Sequence, residues 1–363
     1  MSVEDEIANI EKEIRDTPYN KATSHHVGKL KAKIARLRED LQKKASAKSG
    51  GEGYGVRKSG NATVTLVGFP SVGKSTLLNR LTGANSEIGA YEFTTLDVIP
   101  GVMEHKGASI QILDVPGLVR GAASGRGRGK QVIAVVRNSD LVVFMLDVFQ
   151  TEHFEVLKNE LYDAGIRLGQ HPPDVVIKRK DRGGITVSST LDLDLSEDLI
   201  KAILDDYKIN NAHVLIRDDI DVDQLIDVVM GNRVYIPDVT VINKVDLADE
   251  NTLPKVREKF PDSLLISANK GTHLEEVKDM IFNSLDFIRI YLKPRGEAAD
   301  MEEPLIIRIR STVGDVCDHL HRDFRDKFRY AYVWGESAKH PGQRAGLEHV
   351  LEDEDILTVI IQT

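Results

Sequence analysis

The sequence is nearly free of cysteine. Cys317 stands alone in 363 residues, which excludes an intramolecular disulfide and a cysteine-built zinc site. No apolar run approaches the roughly 20 residues that a membrane span needs. The opening MSVEDEIANIEKEI has no basic stretch followed by an apolar one, so no secretory signal is expected there. These absences together predict a cytoplasmic chain without a membrane partner. A net charge of −9 argues against wholesale coating of nucleic acid, and DNA is not an expected partner, but a global sum leaves room for a local basic patch. What is present fits a packed globular chain: 41% apolar and 29% charged residues. The length predicts about two to three domains.

Charge is uneven along the chain. Ser24 to Gly60 carries ten Lys/Arg against three Asp/Glu, a net +7. Leu30, Ile34, Leu37 and Leu41 make one helical stripe within it, and Val3, Ile7, Ile10 and Ile14 make another upstream. Thr17-Pro18 separates them, because the residue before a proline is pushed out of the helical region. The pattern predicts a helical hairpin, basic on its second arm; that arm reads either as a solvated helix face or as a nucleic-acid contact. SAKSGGEGYG then reads as a linker. From about Asn61, β-rich runs alternate with helical ones. The strand candidates are Ala62 to Val67, Ser109 to Val115, Asp140 to Asp147, Val239 to Ile242 and Leu264 to Ile266. This predicts an α/β fold with a mostly parallel sheet covered on both faces.

Gly68-Phe-Pro70-Ser71-Val72-Gly73-Lys74-Ser75 matches G-x-x-x-x-G-K-[ST] between a strand and a helix that begins near Thr76. Glycines there let backbone N–H groups curl around phosphate oxygens. Lys74 would reach the β/γ-phosphates, and the Ser75 hydroxyl would ligate Mg²⁺. Asp114-Val-Pro-Gly117 ends a second apolar strand; Asp114 would support the Mg²⁺ shell and the Gly117 N–H a γ-phosphate. Asn243-Lys244-Val-Asp246 ends a third. An Asp246 carboxylate can accept from guanine N1–H and the 2-amino group, a donor pair that adenine lacks. Asn243 would tie this loop to the phosphate loop, and the Lys244 stem would cover the base. Ser267-Ala268-Asn269 follows a fourth strand and could give a backbone N–H to guanine O6. The order and spacing point to a site for GTP and GDP.

These residues carry a resemblance. GFPSVGKSTLLNRLTG (68–83), YEFTTLDVIPG (91–101), DVPGLVRGAASGRGRGKQVIAVVRNSDL (114–141) and NKVD (243–246) resemble the Obg group of translation-factor-class GTPases, and within it the developmentally regulated GTP-binding proteins. NKATSHHVGKLKAKIARLREDL (20–41) and VIKRKDRGGITV (176–187) look like the same subfamily. The resemblance implies an N-terminal helical domain, a Ras-like GTPase domain, an insertion of the ribosomal-protein S5 domain-2-like type, a C-terminal β-grasp TGS domain, and association with ribosomes or RNA. It also implies Thr95, beside Thr94, as second Mg²⁺ ligand and γ-phosphate sensor. The matching boundaries are 1–58 for the hairpin and linker, 59–171 with 238–287 for the GTPase domain, 172–237 for the insertion and 288–363 for TGS. The gap from Gly117 to Asn243, longer than one helix and one strand require, supports the insertion independently. In the insertion, Lys178, Arg179, Lys180 and Arg182 read either as a grip on RNA phosphate or as a solvated hairpin. Arg322, Arg325, Lys327 and Arg329 read either as a basic face or, since Asp323 and Asp326 interleave with them, as a local salt-bridge lattice, which the interleaving favours.

Ras-like enzymes follow D-x-x-G with a glutamine that orients water. Leu118 stands there and cannot, so intrinsic hydrolysis is expected to be slow. The missing group would come from elsewhere in the chain, from a regulatory partner protein, or from a K⁺ ion; some related GTPases hold K⁺ with a phosphate-loop asparagine, and the matching position here is Ser71, which departs from that pattern. Gly121 to Gly129 gives this segment backbone freedom, which suits an order–disorder readout of the nucleotide. A metabolic P-loop phosphotransferase is the alternative reading; it would need an acceptor pocket and would not need a guanine-reading loop.

Overall fold

The computed structural model describes residues 3–18, 23–48, 58–83, 98–115 and 129–362. In chain order the elements begin with α1 (Val3–Asp16), α2 (Ser24–Lys48), β1 (Ala62–Val67), α3 (Lys74–Thr82), β2 (Ile99–His105), β3 (Ala108–Asp114), α4 (Gly129–Arg137), β4 (Leu141–Asp147), α5 (His153–Asp163) and β5 (Ile166–Leu168). There follow β6 (Val175–Arg179), β7 (Ile185–Ser189), α6 (Glu197–Asp206), β8 (Ala212–Ile216), α7 (Val222–Met230), β9 (Val234–Ile236), β10 (Asp238–Asn243), α8 (Thr252–Lys259), β11 (Leu264–Leu265) and α9 (Leu274–Ser284). The last are β12 (Phe287–Leu292), β13 (Leu305–Arg308), α10 (Val313–Leu320), α11 (Arg322–Asp326), β14 (Phe328–Trp334), β15 (Gln343–Ala345) and β16 (Ile356–Ile361). They form two compact units, Met1–Gly53 with Gln170–Tyr235 and Tyr54–Gly169 with Ile236–Thr363.

The larger unit holds a six-stranded sheet in the order β11-β10-β4-β1-β3-β2. Its neighbours are parallel except for the β3–β2 pair. Strand β1 is buried at every position and β4 at all but its last. Both strands therefore read as continuous apolar runs rather than alternating ones. Strand β2 is absent from the sequence-based strand set because Pro100-Gly101 reads as a turn. At a sheet edge a proline is tolerated. Gly101 is there for space: a Cβ on it would lie 2.6 Å from Thr82 Cγ2 and 2.9 Å from Leu78 Cδ1, where α3 crosses the sheet.

The same unit carries a five-stranded sheet, β13-β12-β16-β14-β15. Helix α10 packs on one face of it through Val313, Val316 and Cys317, against Ile290, Ala331, Val333 and Leu357. Phe287 and Ile306, at its β12–β13 edge, belong instead to the core beneath α9 of the six-stranded sheet. In the charged run after α10, Arg325 pairs with Asp318 of α10 and Arg322 lies 3.7 Å from Asp323, while Lys327, Arg329 and Asp326 make no ion pair among the described residues, so the expected lattice is only partly formed.

In the smaller unit, β8 lies between β6, antiparallel to it, and β7, parallel to it. Helices α6 and α7 cover one face. The N-terminal helices and the insertion share one core. Ala32 of α2 is fully buried with Leu199, Ile203, Val214 and Leu225. Gly28 brings α2 close; a Cβ there would lie 2.8 Å from Leu199 Cδ1. Ser46 to Lys48 are helical rather than part of the linker.

Candidate functional site

The phosphate-loop residues leave β1 and enter α3. Gly73, at φ 102°, adopts a backbone that L-residues avoid, and a Cβ on it would sit 2.4 Å from Asn243 Nδ2. Gly68 is equally confined: its Cβ would lie 2.4 Å from the Met145 carbonyl. Lys74 is folded back into the loop, and its Nζ donates to the carbonyls of Gly68 (3.1 Å) and Phe69 (3.3 Å). Burial pushes its ammonium below the usual lysine range, and the Asp114 carboxylate partly opposes this. Pro70, Ser71, Ser75 and Thr76 lie exposed around it, and Val72 is buried.

Asp114 ends β3 and is 5% exposed. Its Oδ2 accepts from Ser75 Oγ at 2.5 Å, while Oδ1 is buried without a hydrogen-bond partner among the described residues. A hydroxyl and an incompletely satisfied carboxylate facing one another are oxygen donors of the kind that Mg²⁺ takes, directly or through water. The donor set therefore fits that ion.

Asn243 is the brace of the site. It is 4% exposed, donates from Nδ2 to the Val72 carbonyl (2.8 Å), and accepts at Oδ1 from Ala268 N–H (2.9 Å). One side chain thus ties the ends of β1, β10 and β11 together. Lys244 takes a left-handed backbone, φ 68°, and its Nζ donates to Asp147 Oδ2 at 2.7 Å. Asp246 sits in the short 3-10 turn Val245–Leu247. Its nearest cation is Lys270, 3.9 Å away, too long for a hydrogen bond, so both carboxylate oxygens keep acceptor capacity among the described residues. In the Ser267-Ala268-Asn269 loop, Ser267 Oγ accepts from Lys270 N–H (3.1 Å) and Ala268 N–H is taken by Asn243. The Asn269 N–H is the donor left without a partner among the described residues.

Gly68, Lys74, Ser75, Asp114, Asn243, Lys244 and the two loops after β10 and β11 thus gather at the carboxyl ends of the parallel strands. Thr94, Thr95, Gly117, Leu118 and the stretch from Gly121 to residue 128 lie outside the described residues. Two participants escaped the sequence reading. Asp147 holds Lys244; the signal available was its place at the end of the strand beside β10, where it pairs in register with Asn243. Phe69 stacks on His153, the first residue of α5, with ring centroids 4.0 Å apart, and pins the loop from behind. No spacing rule brings those two together.

A phosphate loop, a carboxylate at the end of the next strand and an asparagine-braced N-K-x-D loop define a GTPase domain. The comparisons agree. Residues 63–179 match a family described as 50S ribosome-binding GTPase, residues 182–287 one described as the C-terminal region of that domain, and residues 288–361 the TGS domain. An uncharacterized GTP-binding protein of Methanocaldococcus jannaschii is 57% identical, covering 100% of this chain and 94% of that protein. Developmentally-regulated GTP-binding protein 2 of Bos taurus is 46% identical, over 99% of this chain and 100% of that protein. The Schizosaccharomyces pombe YchF GTPase structure is similar at a TM-score of 0.46 and 14% identity, over 84% of this chain and 99% of that one. The chain belongs to the developmentally regulated GTP-binding protein family. Among its described residues no helix is long and apolar enough to cross a membrane.

Proposed function

We propose that the chain is a cytoplasmic switch that binds GTP, hydrolyses it slowly to GDP and phosphate, and acts on ribosomes or RNA. The observation that carries the base preference is Asp246, a carboxylate with only 12% of its side chain exposed and with acceptors free for a donor pair. Guanine N1–H and the 2-amino group are such a pair, and the Asn269 N–H would serve O6. Lys74 would exchange its loop carbonyls for β/γ-phosphate oxygens, and the Lys244 stem, steadied by Asp147, would cover the base. Mg²⁺ would be held by Ser75 and Thr95 with Asp114 behind, and would neutralise charge on the β/γ-phosphates. The Gly117 N–H would meet the γ-phosphate. Leu118 offers no group to orient water, so fast turnover would need a contribution from a partner protein, another segment, or K⁺ near Ser71.

The ribosomal part of the reading is supported by the description of the family that matches residues 63–179. Nucleotide-dependent co-sedimentation with ribosomes tests it; equal pelleting with GTP analogue, GDP and no nucleotide would remove the switch. Asp246→Asn tests the base. With an amide, one acceptor becomes a donor that suits a 2-oxo group, so affinity should move from GTP towards xanthosine triphosphate. Unchanged GTP affinity would take Asp246 out of the base site.

A further inference from the structure

Helix α10 covers one face of the five-stranded sheet; on the opposite face Phe287 and Ile306 of the β12–β13 edge pack into the core beneath α9. Along β14, Ala331 and Val333 point into the core under α10 and are fully buried. Period-two alternation sends Tyr330, Tyr332 and Trp334 to the opposite face, where they remain half-buried. The register sets Ile360, Thr358 and Ile356 of β16 beside these three rings, and Arg344 of β15 opposite Tyr332. None of these outward positions is a carboxylate.

The rings do not cover one another. Tyr330 and Tyr332 meet edge to face, 5.3 Å between centroids at 76°, and Tyr332 and Trp334 are tilted by 48° at 6.1 Å. Neither tyrosine hydroxyl nor the indole N–H has a hydrogen-bond partner among the described residues. The flanking cations have no carboxylate partner among the described residues. The Arg344 guanidinium lies 4.1 Å over Tyr330 with no carboxylate in ion-pair range among the described residues. Lys293 lies 5.9 Å over the Trp334 ring and donates only to the Glu297 carbonyl. On the same sheet Arg289 is neutralised by Asp353 at 2.6 Å and Arg308 by Asp140 at 3.2 Å. A row of π-faces bordered by unpaired positive charge suits a polyanion that carries flat rings.

We propose that this face binds unpaired bases of single-stranded RNA, with Tyr330, Tyr332 and Trp334 as the stacking platform and Arg344 and Lys293 meeting the phosphates. The proposal rests on the RNA-directed reading above and gives it a surface. Stacking on aromatic side chains needs bases freed from a duplex, which favours a single strand over a helix. An apolar peptide would use the rings but would gain nothing from the two free cations.

Trp334 is the only tryptophan in the chain, so its fluorescence reports on this face alone. Full-length protein is titrated with short oligouridylate and with duplex RNA of equal length, and affinity is followed separately by anisotropy of labelled RNA. The single strand should quench Trp334 and the duplex should not. Tyr332→Ala should weaken binding roughly tenfold while Tyr332→Phe retains it. Arg344→Gln should lower the slope of log affinity against log salt by about one. RNA binding without quenching, and indifferent to Tyr332→Ala, would overturn the proposal while leaving the RNA-directed reading standing. Ribosome pelleting without any binding of the oligonucleotide would do the same. A Trp334 response to a leucine-rich amphipathic peptide but not to RNA would reassign the face to a protein partner and also overturn it.

Discussion

Each unit buries a charge, and the two are treated in opposite ways. In the smaller unit Asp227 is 4% exposed and is completed by Arg233, whose Nε lies 2.9 Å away. In the larger unit Lys74 is 7% exposed and has only two backbone carbonyls at 3.1 and 3.3 Å for its ammonium. The first is a closed structural pair. The second is a charge held in reserve, with an under-satisfied Asp114 carboxylate nearby. A buried charge with its partner present serves the fold; one that lacks its partner marks the place where a ligand supplies it.

The largest expected effect breaks the closed pair. Asp227→Ala leaves Arg233 buried without its carboxylate and should cost about 3–5 kcal/mol of stability. Chemical denaturation should show this as loss of the smaller unit's transition, with GTP affinity of the surviving fold unchanged. A loss below about 1 kcal/mol would mean that the site relaxes and admits water. Lys74→Met makes the opposite test. It should reduce nucleotide affinity about 100-fold or more, because charge-assisted contacts to phosphate are among the strong ones. Ligand-free thermal stability should hold or rise, since burial already disfavours the charged lysine. A fall in ligand-free stability would show that Lys74 is a structural strut like Asp227.

The same contrast explains what could be read from the sequence. The phosphate loop, Asp114 and the N-K-V-D loop were legible because their chemistry depends on residue type at short spacing, and the strands feeding them are unbroken apolar runs. Asp147 was not legible, because its role comes from a register between strands almost a hundred positions apart. Strand β2 was hidden by Pro100-Gly101. The second contact face of α2 was hidden for another reason. Gly28 and Ala32 pack it onto α6 by being small, and small residues leave no hydrophobic stripe. The leucine and isoleucine stripe was visible, and it made α2 look like half of an isolated hairpin.

The smallest effect expected concerns the basic helix and decides how its charge should be counted. Several of its cations already have partners in their own unit: Lys31 with Asp223 at 2.6 Å, Lys33 with Glu6 at 2.8 Å and Arg38 with Glu11 at 2.8 Å. All three pairs are substantially solvent-exposed, so removing a cation should cost only about 0–1 kcal/mol. Their consequence for binding is more telling. A cation neutralised by a neighbouring carboxylate displaces few counterions from a polyanion, and the salt slope counts only those that do. Replacing Lys31, Lys33 and Arg38 together by methionine should therefore leave the salt dependence of ribosome or RNA association nearly unchanged. Arg344→Gln on the C-terminal sheet, where the cation is free, should lower it by about one. If the triple variant instead lowers the slope by about three, the helix exchanges its internal partners for phosphates on binding, and the +7 of the basic segment is an RNA surface after all.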